Sequence, residues 1–139
     1  MTESLSSLYE QGLERYQAGE SPETLIPFFQ ELCQQSPKDS SAWCSLAWLY
    51  LIADKPKQAL KIAQKAVKID PRPPQTRINL ALALLESGEK GVRDHIEVAK
   101  QIMAASEEIR AETIENIEDG LKRKPDWKSL QKVKNWLLS

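Results

Sequence analysis

The chain has 139 residues, 41% hydrophobic and 28% charged, which is enough apolar material for one domain-sized core and too much for a disordered segment. Its 19 lysines and arginines face 20 aspartates and glutamates, so no whole-molecule charge recommends a nucleic acid as partner. The opening MTESLSSLYEQGLER lacks a basic stretch followed by an apolar one, and the longest apolar run, 42–53, is too short to cross a bilayer, so neither a secretory signal nor a membrane span is expected. A cytoplasmic or organelle-stromal protein is the expectation. Cys33 and Cys44 have neither CxxC spacing nor a histidine nearby and read as reduced structural thiols.

In chain order, the first region, 5–39, carries Gly12, Tyr16, Gly19, Leu25, Phe29, Leu32 and Pro37, spaced for two helices. Ser21, Pro22 and Glu23 form a start signal for the second, because proline at a first helical position lacks a donor that would be unpaired anyway. Pro27 lies deeper and should tighten or kink that turn. SSAWCSLAWLYLIAD then reads as a third helix, and KPKQALKIAQKAVKIDP as a fourth, with Ala59, Ile62, Ala63, Ala66, Val67 and Ile69 at helical spacing until Pro71 stops it. PQTRINLALALLESG is a fifth, closed by Gly88. VRDHIEVAKQIMAA is a sixth, with a stripe of Val92, Ile96, Ala99, Ile102 and Met103. SEEIRAETIENIEDGLKRK places Ile109, Ile114, Ile117 and Leu121 on one face, and DWKSLQKVKNWLL does so with Trp127, Leu130, Val133 and Leu137. Eight helices result, in one all-α domain.

Laying SPKDSSAWCSLAWLYLIAD over DPRPPQTRINLALALLESG brings Pro37 onto Pro71, Leu46 onto Leu80, Ala47 onto Ala81, Leu51 onto Leu85 and Asp54 onto Gly88, an offset of 34 throughout. Region 5–39 repeats the same order with about one residue of slippage. The central copy, 40–73, with Trp43, Leu46, Ala47, Tyr50, Ala59, Ala66 and Pro71, resembles the tetratricopeptide repeat family. It departs in having Ala47 and Asp54 where glycine is usual, and Ala63 where a larger residue stands. The resemblance implies a right-handed superhelix of antiparallel helix pairs. A degenerate repeat would occupy 5–39, the best repeat 40–73 and a partial one 74–104, with capping helices over 106–138.

Chemistry is sparse. His95 is the one histidine, follows Asp94 and has no nucleophile elbow, phosphate loop or metal motif beside it, so neither catalysis nor a cofactor or metal is expected. An enzyme, or the regulatory subunit of one, built on His95 is the rival from another class. Lys57, Lys61, Lys65 and Lys68 form a stripe on the fourth helix that reads as a solvated face, since no aromatic residues interleave with it. The acidic run Glu107 to Asp119 and the basic run Lys122 to Lys134 read likewise, as solvated faces of the capping helices.

By resemblance, function lies on the concave face lined by the first helix of each repeat. There the register separates a packing set, Trp43, Leu46, Ala47 and Tyr50, from a groove set. The groove residues expected to meet a partner are Cys44, Trp48, Leu51, Ile52, Ile78, Asn79, Leu82 and Leu85, an apolar patch large enough to need covering. Either the C-terminal helix with Trp136 covers it or an apolar or amphipathic segment of another protein does. Gln75, Asn79 and Ser45 stand where the family's clamp for acidic chaperone tails needs basic residues, which argues against that ligand. The expectation is therefore an adaptor or scaffold that binds a protein segment, with Trp48 as its hot spot and with assembly or regulation of a larger complex as its role. Weak self-association through the same face is the structural alternative.

Overall fold

The computed structural model describes residues 4–139, and every regular element among them is a helix. In order these are α1 (Leu5–Gln17), α2 (Pro22–Gln35), α3 (Ser40–Ile52), α4 (Pro56–Ile69), α5 (Pro74–Glu86), α6 (Val92–Ala105), α7 (Glu107–Arg123) and α8 (Lys128–Leu138). Each of α1 to α5 packs on its successor, α3 also touches α5, and α8 reaches back to α5 and α6. Short connections and neighbour-to-neighbour packing make this a stack of antiparallel helix pairs.

Three loops of the stack are made by one device. Gly19, Asp54 and Gly88 adopt positive φ, at 93°, 61° and 70°. At each, the N–H of that residue bonds back three residues and the next N–H bonds back five: Asp54 to Leu51 O and Lys55 to Tyr50 O, Gly88 to Leu85 O and Glu89 to Leu84 O, Gly19 to Tyr16 O and Glu20 to Arg15 O. This is the Schellman closure, which satisfies carbonyls that a helix end leaves unpaired. Asp54 is the one non-glycine at positive φ among the described residues, and Lys124 Nζ holds its carboxylate at 2.6 Å.

Small residues set the helix spacing. Ala47, Ala59, Ala63, Ala66 and Ala81 are fully buried. Gly12 occupies the matching place in the first pair, where an added Cβ would lie 2.6 Å from Phe29 Cζ, so α1 and α2 approach as closely as glycine allows. The register also explains Arg77, which stands 34 residues after Trp43. Trp43 Nε1 donates to Pro37 O at 3.0 Å, and Arg77 Nε donates to Pro71 O at 3.1 Å. A guanidinium thus replaces an indole in tying the helix to the proline before it.

The buried side chains fall into two main groups. One joins α1, α2 and α3 around Leu25, Phe29, Leu32 and Leu46, and the larger one joins α3, α5, α6, α7 and α8 around Leu51, Ile78, Leu82, Ile117 and Leu130. The apolar stripe expected along α7 is only partly used. Ile117 is buried, but Ile109 is 37% exposed, because the first two turns of α7, residues 107–112, extend beyond the helices beneath. The lysines of α4 are exposed, with Lys65 Nζ 5.8 Å from the centre of the Trp43 ring. No helix among the described residues is long and apolar enough to cross a membrane.

Candidate functional site

The concave face is partly closed by the chain itself. Trp48 is 9% exposed; its ring lies 5.4 Å from that of Trp127 and rests against Gly120, where a Cβ would come within 2.7 Å of Cζ2. Trp127, in the turn before α8, meets Trp48; the expected Trp136 instead lies beneath the Arg93 guanidinium, 5.7 Å from its ring centre. The reason is geometric: α7 has a position without a side chain at the level of the indole, and the turn into α8 returns Trp127 to it.

A polar latch fastens α7 to α1 and α3. Trp48 Nε1 donates to Tyr16 Oη at 2.8 Å, and Tyr16 Oη donates to Asp119 Oδ2 at 2.6 Å. Arg123 donates to the same Oδ2 through Nε at 2.9 Å and to Tyr16 O through Nη2 at 2.8 Å, with its guanidinium 3.7 Å from the centre of the Tyr16 ring. Burial, and then the hydrogen bond to Asp119, raise the Tyr16 phenol well above its ordinary value. Further along, Lys124 Nζ donates to Leu51 O at 3.3 Å, and Trp127 Nε1 to Glu86 Oε2 at 2.6 Å.

The eight residues expected to form the groove therefore divide. Leu51, Ile78 and Leu82 are fully buried in the cluster that α7 and α8 complete, and Ile52 and Leu85 pack against it half-buried, so these five face the chain's own helices. Cys44, Asn79 and an edge of Trp48 line a cleft of about 260 Å³ that stays open between α1, α3, α5 and α7. Phe29 and Leu49 also line this cleft; Ser41, Ser45, Gln75, Asn116 and Asp119 supply its polar groups. Tyr9 and Tyr16 are among the members that sequence reasoning missed. Stepping back 35 residues from Cys44 and Leu51 reaches them, so the slipped register of the first repeat held the signal.

The polar groups of the cleft are linked. Asn79, fully buried, donates through Nδ2 to Cys44 O at 3.0 Å and accepts from Gln75 Nε2 at 2.8 Å, which satisfies both ends of its amide. Asn116 Nδ2 reaches Gln75 Oε1 at 3.4 Å, and the Tyr9 and Ser45 hydroxyls lie 3.1 Å apart. Burial pushes the Cys44 thiol up to about 11, against a hydrogen bond to Thr76, and the Cys33 thiol up to about 12. Both are thiols rather than thiolates at neutral pH, unsuited to nucleophilic attack. His95 lies outside the cleft, with Nδ1 3.0 Å from Arg77 Nη1. Arginine can only donate, so Nδ1 accepts and the neutral ring carries its proton on Nε2. No group of three or more potential metal ligands gathers among the described residues.

A family model described as tetratricopeptide repeat matches residues 28–61, one period running from α2 into α4. Those residues are thus a tetratricopeptide repeat. Among solved structures, this repeat protein is similar to PcrH in complex with the chaperone binding region of PopD, at 25% identity over 86% of this chain and 92% of that one, TM-score 0.68. PcrH from Pseudomonas aeruginosa gives 22% identity, coverage of 96% and 95% and a TM-score of 0.71. The first TPR of Spaghetti (RPAP3) bound to the HSP90 peptide SRMEEVD gives 16% identity, coverage of 97% and 94% and a TM-score of 0.56. No curated protein matches the repeat protein in sequence.

Proposed function

We propose that this protein is a non-enzymatic adaptor of the cytoplasm or an organelle stroma that holds a segment of a partner protein in the open part of its concave face and thereby assists the assembly or regulation of a larger complex. The observation that carries the reading is the cleft itself. It is a concavity on the face formed by α1, α3 and α5, walled by Tyr9, Tyr16 and Trp48 and edged by amides, hydroxyls and the Asp119 carboxylate that Arg123 neutralises, the mixture that recognises a peptide by apolar contact and main-chain hydrogen bonding. PcrH, similar in fold and 25% identical, was solved with the chaperone binding region of PopD, which supports a segment-binding role on this architecture. Cys44 and Trp48 are the members of the expected groove set that this reading retains as partner contacts, with Asn79, fully buried, holding the Cys44 carbonyl and the Gln75 amide behind them. Leu51, Ile52, Ile78, Leu82 and Leu85 serve it indirectly, by anchoring the helices that narrow the groove.

Ser41 is exposed at the rim, so Ser41→Trp should fill the cleft without disturbing the core. The wild-type protein is expected to capture its partner from host lysate and to crosslink to it from positions beside Tyr9 and Ser45, and Ser41→Trp to lose both while keeping its helical circular dichroism and urea midpoint. Retention of the crosslink by a folded Ser41→Trp variant would remove the cleft from the interaction.

A further inference from the structure

A second hollow of about 400 Å³ adjoins the cleft and shares Pro73, Gln75 and Asn116 with it, so the two form one continuous trough between the start of α5 and the first half of α7. Its far end presents Ile109, one of two large apolar side chains left more than a third exposed among the described residues, beside Glu112. The residues lining the trough that are charged at neutral pH are three carboxylates, Asp70, Glu112 and Asp119, and one guanidinium, Arg72. Arg72 is already committed to Asp70, with Nε at 2.9 Å and Nη2 at 3.2 Å. Asp119 is engaged by Arg123 from outside the trough. Glu112 takes part in no ion pair among the described residues.

Resting on the reading of the cleft as a segment-binding site, we propose that the trough selects an extended, basic-flanked apolar segment. One apolar side chain enters the cleft, the main chain passes over the Gln75 and Asn116 amides, and a lysine or arginine pairs with Glu112 while its methylenes cover Ile109. The cleft falls below the roughly 300–1,000 Å³ of pockets that enclose small molecules, so it suits a single side chain. With α7 lying across the face, the trough suits an extended chain better than a helix about 10–12 Å across. The 3.4 Å contact from Asn116 to Gln75 is the longest in the amide chain, so a passing carbonyl can replace it at little cost. The long stem of a cationic side chain is the group that can cover an exposed isoleucine while placing its charge on a carboxylate.

The test uses full-length 15N-labelled protein and three capped nonapeptides, each with one central phenylalanine among serines and glycines, flanked on both sides by lysine, glutamate or glutamine. At low salt, all three are expected to shift the amide resonances of Ser41 and Ser45, and the lysine peptide to bind about fivefold more tightly than the glutamate peptide, the scale of one favourable exposed pair. Glu112→Lys, at an exposed position, should abolish or reverse that preference while leaving the cleft shifts in place. Shifts at Ser41 and Ser45 with no charge preference, or a preference that survives Glu112→Lys, would overturn the selection while the cleft stands. Absence of those shifts with every peptide would overturn the cleft as well.

Discussion

The stack from α3 to α6 and the strap formed by α7 are both helices laid on helices, yet different means hold them. In the stack, contact is made by small residues, Ala47, Ala59, Ala63, Ala66 and Ala81, and by loops closed with the same Schellman bonds, and Ala47 with Ala81 and the turn at Asp54 with that at Gly88 recur 34 residues apart. In the strap, Thr113, Ile117 and Gly120 are the buried residues of a 17-residue helix, and attachment depends on single contacts: Trp48 in the space left by Gly120, and Tyr16 and Arg123 on Asp119. A repeated interface tolerates the loss of one element because its neighbours remain. A latch does not.

The largest test of that contrast is Trp48→Ala. Removing a large buried aromatic costs about 3–5 kcal/mol, and here it also deprives Trp127 of its stacking partner, so the urea midpoint should fall sharply with early loss of protease resistance in α7. Trp43→Ala, in the half-exposed packing position, should cost clearly less by the same measurement; the reverse order would show that the strap is not held through Trp48. Tyr16→Phe comes next. It leaves the Trp48 N–H and Asp119 without their shared partner, for a loss of about 1–3 kcal/mol at neutral pH. The raised Tyr16 pKa adds a pH signature: stability is full below about pH 10, where the unfolded phenol is neutral, and falls as pH rises beyond it. The Phe variant should lack that share of the alkaline decline in urea midpoint.

A smaller effect belongs to His95, which burial, and then the charge of Arg77, hold below its usual 6.5. The unfolded imidazole takes up a proton first, so stability should decline as pH falls through about 6.5, and His95→Gln should flatten that segment of the stability profile. Smallest is Asp54→Gly. Glycine relieves positive φ at a gain of about 1 kcal/mol, and loss of the ion pair between Lys124 and the largely exposed Asp54 carboxylate offsets a few tenths, so a slight rise in thermal midpoint is expected.

The stack was legible in the sequence because it is written more than once. Ala59, Ala66 and Pro71, the offset from Leu46 to Leu80 and the turn residues Asp54 and Gly88 fix pairing and register between them. The strap was not legible, because its contacts occur once and join residues far apart, Tyr16 to Asp119 across 103 positions. The apolar face of α3 and α5 was correctly read as needing a cover; what covers it depends on how α7 lies, which periodicity does not encode. Gly120 was the available hint, since a glycine within a helix costs stability unless something must come close. Ile109 misled in the other direction: it continues the period of Ile117, and the helices beneath it simply end.

The span between Tyr16 and Asp119 also bears on the order of events during synthesis. The helix pairs of the stack are assembled from contacts between neighbours and can form as they leave the ribosome, whereas the latch must wait for Asp119, 103 positions after Tyr16. Until Gly120 and Trp127 emerge, Trp48, Leu51, Ile78 and Leu82 have no cover. The nascent protein therefore passes through an interval in which its concave face is at its most adhesive, and a partner made nearby could engage it before the strap closes.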